Sequence, residues 1–203
     1  AFQFPPTPHA LESLKKKHGV EGPYFIHLGT LEPRKNLPRL LQAYAQIRKK
    51  NAGCPRLVLA GARGWLDEPI FKTIAECQLQ DAVHCTGYLS RQDAIALLQG
   101  ATACLYPSLY EGFGLPVLEA MAAKTPVLTS NASSLPEVIG DTGLQVDPRD
   151  LDALQAGIQE LLDHPDAATK RAEAAHARAQ GFTWESAAQK LAQVYQSVHA
   201  EPH

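Results

Sequence analysis

Long apolar runs are missing from this 203-residue chain: no stretch approaches the roughly 20 residues a membrane-spanning helix needs. No transmembrane segment is therefore expected. The first ten residues, AFQFPPTPHA, carry neither the basic start nor the apolar centre of a secretory signal, and read as a linker entering a domain. Cysteines are few and scattered. Cys54, Cys77, Cys85 and Cys104 form no C-x-x-C pair and have no histidine at ligand spacing, which argues against zinc. Reduced thiols of a cytosolic protein are the expectation. An excess of one charge is also missing. With 19 Lys and Arg against 21 Asp and Glu, the chain gives nucleic acid no electrostatic reason to bind. Lys15-Lys16-Lys17, the one basic run, reads as a solvated helix end.

What is present is a regular alternation. PYFIHLG (23–29), RLVLAG (56–61), AVHCTG (82–87), ATACLYP (101–107) and TPVLTS (125–130) are short apolar runs bounded by Gly, Pro or polar residues. Each suits a strand buried on both faces, and GLQVD (143–147) is a weaker sixth. Between them, Leu37, Leu40, Leu41, Tyr44 and Ile47 fall on one helical stripe, and Ala94, Ile95, Leu97 and Leu98 on a shorter one. Trp184, Ala187, Ala188, Leu191, Val194, Tyr195 and Val198 make the clearest stripe. The pattern predicts an α/β fold: a doubly wound, Rossmann-like parallel sheet of about six strands with helices on both faces. Residues 1–203 are read as one domain, with 1–22 as linker and first helix. Ligands of such sheets bind beyond the carboxyl ends of the strands, so the loops there are the places to look.

The loop after the first run is GTLEPRKN. Gly29 permits a tight turn, and Asn36 reads as the N-cap of the next helix. Arg34 and Lys35 sit where two cations oppose the helix dipole, so an anion between them is expected, and a diphosphate suits a guanidinium fork and an ammonium together. After the fourth run comes SLYEGFGLPVLEAM. Pro116 fits a first helical turn, while Gly112 and Gly114 leave backbone N–H groups free to approach a ligand. Glu119 lies about one turn into an otherwise apolar helix, where a carboxylate suits a vicinal diol such as ribose. Glu111, on the preceding loop, suits a second polyhydroxylated group. Asp150-Leu-Asp152 spells D-x-D, but Asp150 directly precedes a helical stripe, so capping explains it better than metal. His27, His84, His164 and His176 lie in no motif and are read as structural. No G-x-G-x-x-G follows the first strand, which disfavours a nicotinamide dehydrogenase.

EGFGLPVLE resembles the E-x7-E motif of retaining glycosyltransferases of group 1, which have the GT-B fold. LGTLEPRKNL, LVLAGARGW, CTGYLSRQD, the stretch from Tyr106 to Pro148 and FTWESAAQKLAQVY follow the same family in order, from about Pro23 to about Val198. The resemblance implies the C-terminal, donor-binding half of a two-domain enzyme whose N-terminal acceptor domain lies outside this chain. AFQFPP then resembles the segment just after the interdomain linker. Residues 184–199 resemble the helix that crosses back to that domain, so part of its stripe is expected to be exposed.

The same resemblance implies roles. Arg34 and Lys35 bind the donor diphosphate and stabilise the leaving group, with no metal and no further cofactor. Glu111 lies near the donor sugar, Gly112, Phe113 and Gly114 supply N–H groups, and Glu119 binds ribose hydroxyls. The Tyr88-Leu89 backbone recognises the base, Gly29 faces the diphosphate and Leu115 packs nearby. Where many relatives carry arginine after the glycine of the first loop, this chain has Thr30, and Arg34 stands in for it. The implied reaction moves a sugar from a nucleoside-diphosphate sugar to an acceptor hydroxyl with retention. GDP-mannose is the first expectation for the donor and a UDP-sugar the second, with a carbohydrate or lipid-linked acceptor. A cytoplasmic enzyme at the inner membrane face would follow. The alternative is a module that binds a nucleotide sugar without transferring it.

Overall fold

Tyr24–Leu28 (β1), Arg56–Ala60 (β2), Val83–Gly87 (β3), Ala103–Tyr106 (β4), Val127–Ser130 (β5) and Leu144–Val146 (β6) lie within the six apolar runs and are all strands. The computed structural model describes residues 5–200, the side chains of residues 199 and 200 excepted. Within it the strands form one sheet in the order β3-β2-β1-β4-β5-β6, and every pair is parallel. The expected doubly wound fold is observed. Of the proposed linker, residues 1–4 lie outside the described residues.

The helices are Pro8–Lys17 (α1), Leu37–Lys50 (α2), Glu68–Glu76 (α3), Arg91–Gln99 (α4), Leu115–Ala122 (α5), Leu135–Ile139 (α6), Leu151–Asp163 (α7), Pro165–Ala179 (α8) and Trp184–Ala200 (α9). Successive strand residues point to opposite faces, and the core divides accordingly. Phe25, Leu57, Leu59, Ala103 and Leu105 pack with α2, α3 and α7. Tyr24, Ile26, Val58, Cys104 and Val127 pack with α4, α5, α6 and α8. The apolar stripe of α2 is wholly buried from Leu37 to Ile47. Asp150 caps α7 as expected, its Oδ1 accepting from the backbone N–H groups of Asp152 and Ala153 at 2.9 Å.

Three expectations need correction. β3 and β6 are half-exposed along most of their length, because they are the sheet edges and have a neighbour on one side only. Lys15 is buried against Glu12 at 2.7 Å and Lys17 reaches Asp93 at 2.8 Å, so the basic run is partly paired rather than solvated. Asn36 makes no side-chain cap. Its φ of 59° places it in the left-handed region, and its Nδ2 instead donates to the Pro107 and Pro148 carbonyls at 3.1 and 2.7 Å. Finally, α3, α6 and α8 add to the helices that the sequence stripes predict. The buried face of α8 consists of Ala168, Ala172, Ala175 and Ala179, small residues that leave little hydrophobic contrast in the sequence.

Candidate functional site

The strand order reverses between β1 and β4, and the loops leaving those two strands meet there, as the geometry of such sheets requires. The Leu109 N–H donates to the Arg34 carbonyl at 2.8 Å, tying one loop to the other. The Asn36 amide makes a second tie to Pro107. The cations of the first loop and the acids of the second are thus on the same side of the molecule.

Gly29 turns the chain at the end of β1 with φ of 140°, and its N–H donates to the Ala60 carbonyl at 2.9 Å. A short 3-10 turn, Pro33–Lys35, then aims its two basic side chains differently. Lys35 points inward and is 4% exposed. Its ammonium donates to Tyr106 Oη at 2.5 Å and to Glu111 Oε1 at 2.7 Å. Tyr106 Oη in turn donates to the same Oε1 at 2.8 Å, closing a three-membered network. Arg34 is half-exposed; it pairs with Glu111 Oε2 and with Glu32 Oε1, the latter at 2.6 Å. The anion expected between Arg34 and Lys35 is therefore, in this structure, the Glu111 carboxylate itself.

Burial alone would raise the pKa of the Glu111 carboxyl, but the hydrogen bonds from Lys35 and Tyr106 outweigh it and hold the pKa below the ordinary value. Its backbone is fixed as well: its N–H donates to Ser133 Oγ and its carbonyl accepts from Ser134 Oγ, both at 3.0 Å. Three residues on, Gly114 has φ of 102° and starts α5, whose positive end faces the second loop. Nothing lies within 4 Å of where a Cβ on Gly112 would sit, so its backbone is open to approach. Phe113 packs edge-to-face on Phe182, with centroids 5.9 Å apart. Leu115 is mostly exposed.

Beside this network a cleft of about 350 Å³ opens at the carboxyl ends of β1 and β2. Gly29, Tyr88, Leu89 and Glu119 line it, together with Thr30 and Arg91. Gly29 belongs to both parts, since a Cβ there would come within 3.7 Å of Lys35 Nζ. The Glu119 carboxyl is pushed up by burial, with Arg91 pulling the other way. Leu89 is buried, and the Tyr88 side chain is largely exposed. Gly112, Phe113, Gly114 and Leu115 are not among the residues lining the cleft, nor are Arg34, Lys35 and Glu111, which lie in the adjoining network. Two cations, a helix start and a half-buried carboxyl lining the adjoining cleft suit a ligand that carries both an anionic group and hydroxyls.

Several residues here carried no signal as a site. Tyr106 and His27 sit inside apolar strand runs, while Ser133, Ser134 and Arg91 lie in stretches that follow the family but were given no role of their own; only their tertiary placement brings them to the site. No group of three or more His, Cys, Asp or Glu among the described residues is arranged to hold a metal ion.

Comparison with known proteins gives concordant matches. The family model described as glycosyl transferases group 1 matches residues 11–178. The O-antigen chain mannosyltransferase B of Escherichia coli is 38% identical over 172 residues, covering 85% of this chain and 45% of that protein. The MMP alpha-(1->4)-mannosyltransferase of Mycolicibacterium hassiacum is 38% identical over 172 residues, covering 83% of this chain and 41% of that protein. The chain thus spans less than half the length of these relatives. Among solved structures, the sucrose-phosphate synthase of Thermosynechococcus elongatus superposes with a TM-score of 0.78 at 29% identity, over 97% of this chain and 50% of that one.

Proposed function

The chain belongs to the group 1 glycosyl transferases, and from that premise we propose that it is the donor-binding half of a retaining enzyme. The enzyme moves a sugar from a nucleoside-diphosphate sugar to an acceptor hydroxyl. One observation carries the reading: Arg34 and Lys35 from the β1 loop meet Glu111 from the β4 loop at the switch point, beside a cleft walled by Glu119. The diphosphate lies against the two cations, the ribose against Glu119, the base against the Tyr88-Leu89 backbone and the donor sugar near Glu111 and the Gly112-Phe113-Gly114 turn. As the glycosidic bond breaks, negative charge grows on the departing diphosphate. Arg34, Lys35 and the start of α5 stabilise that charge, a contribution of roughly 3–4 kcal/mol for one such group.

The relatives named as mannosyltransferases support mannose as the sugar; GDP-mannose is proposed as the donor ahead of a UDP-sugar. A carbohydrate or lipid-linked acceptor would bind in an N-terminal domain of the same enzyme, and a lipid-linked one would bring the enzyme to the inner membrane face. Titrating this chain with GDP, UDP and ADP tests the donor site: GDP is expected to bind most tightly, and a folded chain that binds none of them overturns the reading. Assaying the full-length gene product with GDP-mannose separates transfer from mere binding. The chain spans less than half of its relatives, and for these residues by themselves the proposed role is nucleotide-sugar binding without transfer.

A further inference from the structure

His27, in the middle of β1, is fully buried. Its ring stacks on Tyr106, with centroids 5.1 Å apart and planes 9° from parallel. Nδ1 lies 3.1 Å from the Leu105 carbonyl oxygen, which can only accept, so Nδ1 carries the ring proton. Burial pulls the pKa of the ring down to about 4, leaving the imidazole neutral around pH 7. Nε2 is then a bare acceptor, buried and without a partner among the described residues. Buried polar atoms are nearly always paired, so this one calls for an explanation.

Its surroundings supply a candidate donor. A Cβ built on Gly29 would lie 3.9 Å from His27 Nε2 and 3.7 Å from Lys35 Nζ. Both nitrogens therefore border the same small space beneath Gly29. An ammonium has three N–H donors, and the bonds to Tyr106 Oη and Glu111 Oε1 use two of them. A buried donor and a buried acceptor thus stand near each other, on either side of the glycine that turns toward the cleft.

We propose that His27 is a positioning residue for Lys35, its Nε2 accepting from the ammonium when Lys35 turns from Glu111 toward a bound diphosphate. The proposal rests on the cleft being a nucleoside-diphosphate site. A neutral acceptor suits this task better than a carboxylate. It steadies the ammonium without neutralising the charge that the ligand needs. Tyr106 contributes from beneath, its ring 4.9 Å from Lys35 Nζ and stacked on the imidazole. Lys35 and Glu111 are the charged groups acting on the ring, and they act in opposite directions.

The test is calorimetric titration of this chain with GDP and UDP, using His27→Phe, His27→Gln, Lys35→Ala and the His27→Phe/Lys35→Ala double variant. Phe keeps the stack and removes both the Nε2 acceptor and the Nδ1 donor to Leu105, so the melting temperature is expected to fall while the chain stays folded at 25 °C and nucleotide affinity falls about ten-fold. Gln, which offers a carbonyl oxygen, is expected to restore most of it. In the Lys35→Ala background, His27→Phe is expected to have no further effect. Unchanged affinity in His27→Phe, or losses that simply add in the double variant, overturn the proposal. The unsubstituted chain gives an independent readout: the ¹⁵N shift of His27 Nε2 should move toward its hydrogen-bonded value at nucleotide saturation, and a static shift overturns the proposal. If the unsubstituted chain binds neither nucleotide, the donor-site reading falls first and this inference with it.

Discussion

Lys35 Nζ and Glu111 Oε1 lie 2.7 Å apart although 76 positions separate the residues in sequence. The pair closes this part of the site upon itself: Glu111 and Glu32 neutralise the two cations proposed to meet a diphosphate. If the proposed donor site is right, a diphosphate competes there with an internal carboxylate.

That competition can be measured. Glu111→Gln keeps the shape and removes the charge, so GDP is expected to bind roughly five-fold more tightly, equivalent to about 1 kcal/mol. Transfer by the full-length enzyme is expected to fall, because the donor sugar loses its carboxylate. Weaker GDP binding by the variant would show that Glu111 does not compete for the cations.

Acid should weaken the fold in two separate ranges. The folded-state pKa of His27 is about 4 against an ordinary 6.5, so the unfolded chain takes up that proton first as the pH falls. Stability is expected to decline between pH 6.5 and 4 by on the order of 3 kcal/mol on this account. Glu111 behaves differently. Its depressed pKa gives stability that is present above the ordinary carboxylate value and is lost only as the pH falls through the folded one. Glu119, with a raised pKa, tilts the curve the other way near the carboxylate range. Denaturant unfolding at several pH values isolates the His27 share, since His27→Phe should flatten the slope above pH 4.5. An identical slope in both proteins would contradict it.

Glu119 is assigned to ribose, so its effect should depend on the hydroxyls. The unsubstituted chain is expected to prefer GDP over 2′-deoxy-GDP by about ten-fold. Glu119→Ala should erase most of that preference and leave the binding of inorganic pyrophosphate nearly unchanged. A preference that survives the substitution would move the ribose elsewhere.

Along α9, Trp184, Leu191, Val194, Tyr195 and Val198 remain largely exposed, although they form the clearest apolar stripe in the sequence. We propose that this stripe packs on an N-terminal domain of the full-length enzyme. Leu191→Ala and Val194→Ala are then expected to change the stability of this chain by less than about 0.5 kcal/mol, and to destabilise the full-length enzyme by more. Equal effects in both would count against that contact.

Legibility in the sequence followed burial. The central strands were visible because both faces are covered, which makes continuous apolar runs such as YFIHL and ACLY. The edges β3 and β6 carry the same kind of run but are half-exposed, since pairing on one side leaves no trace in a strand that short. The loops that bear the site were visible through their glycines, prolines and charges. Their mutual contact was not, because no local rule joins Lys35 to Glu111. Tyr106 and His27 were hidden for the opposite reason: in a buried strand a functional aromatic looks like any other core residue.

The central claim is that Arg34 and Lys35 grip a nucleotide's diphosphate at the switch point. Titration of the unsubstituted chain and of Lys35→Ala with GDP, with circular dichroism to verify that both are folded, tests it most directly. Binding by the former and at least about ten-fold weaker binding by the latter are expected. Equal affinity in the two folded proteins would contradict it.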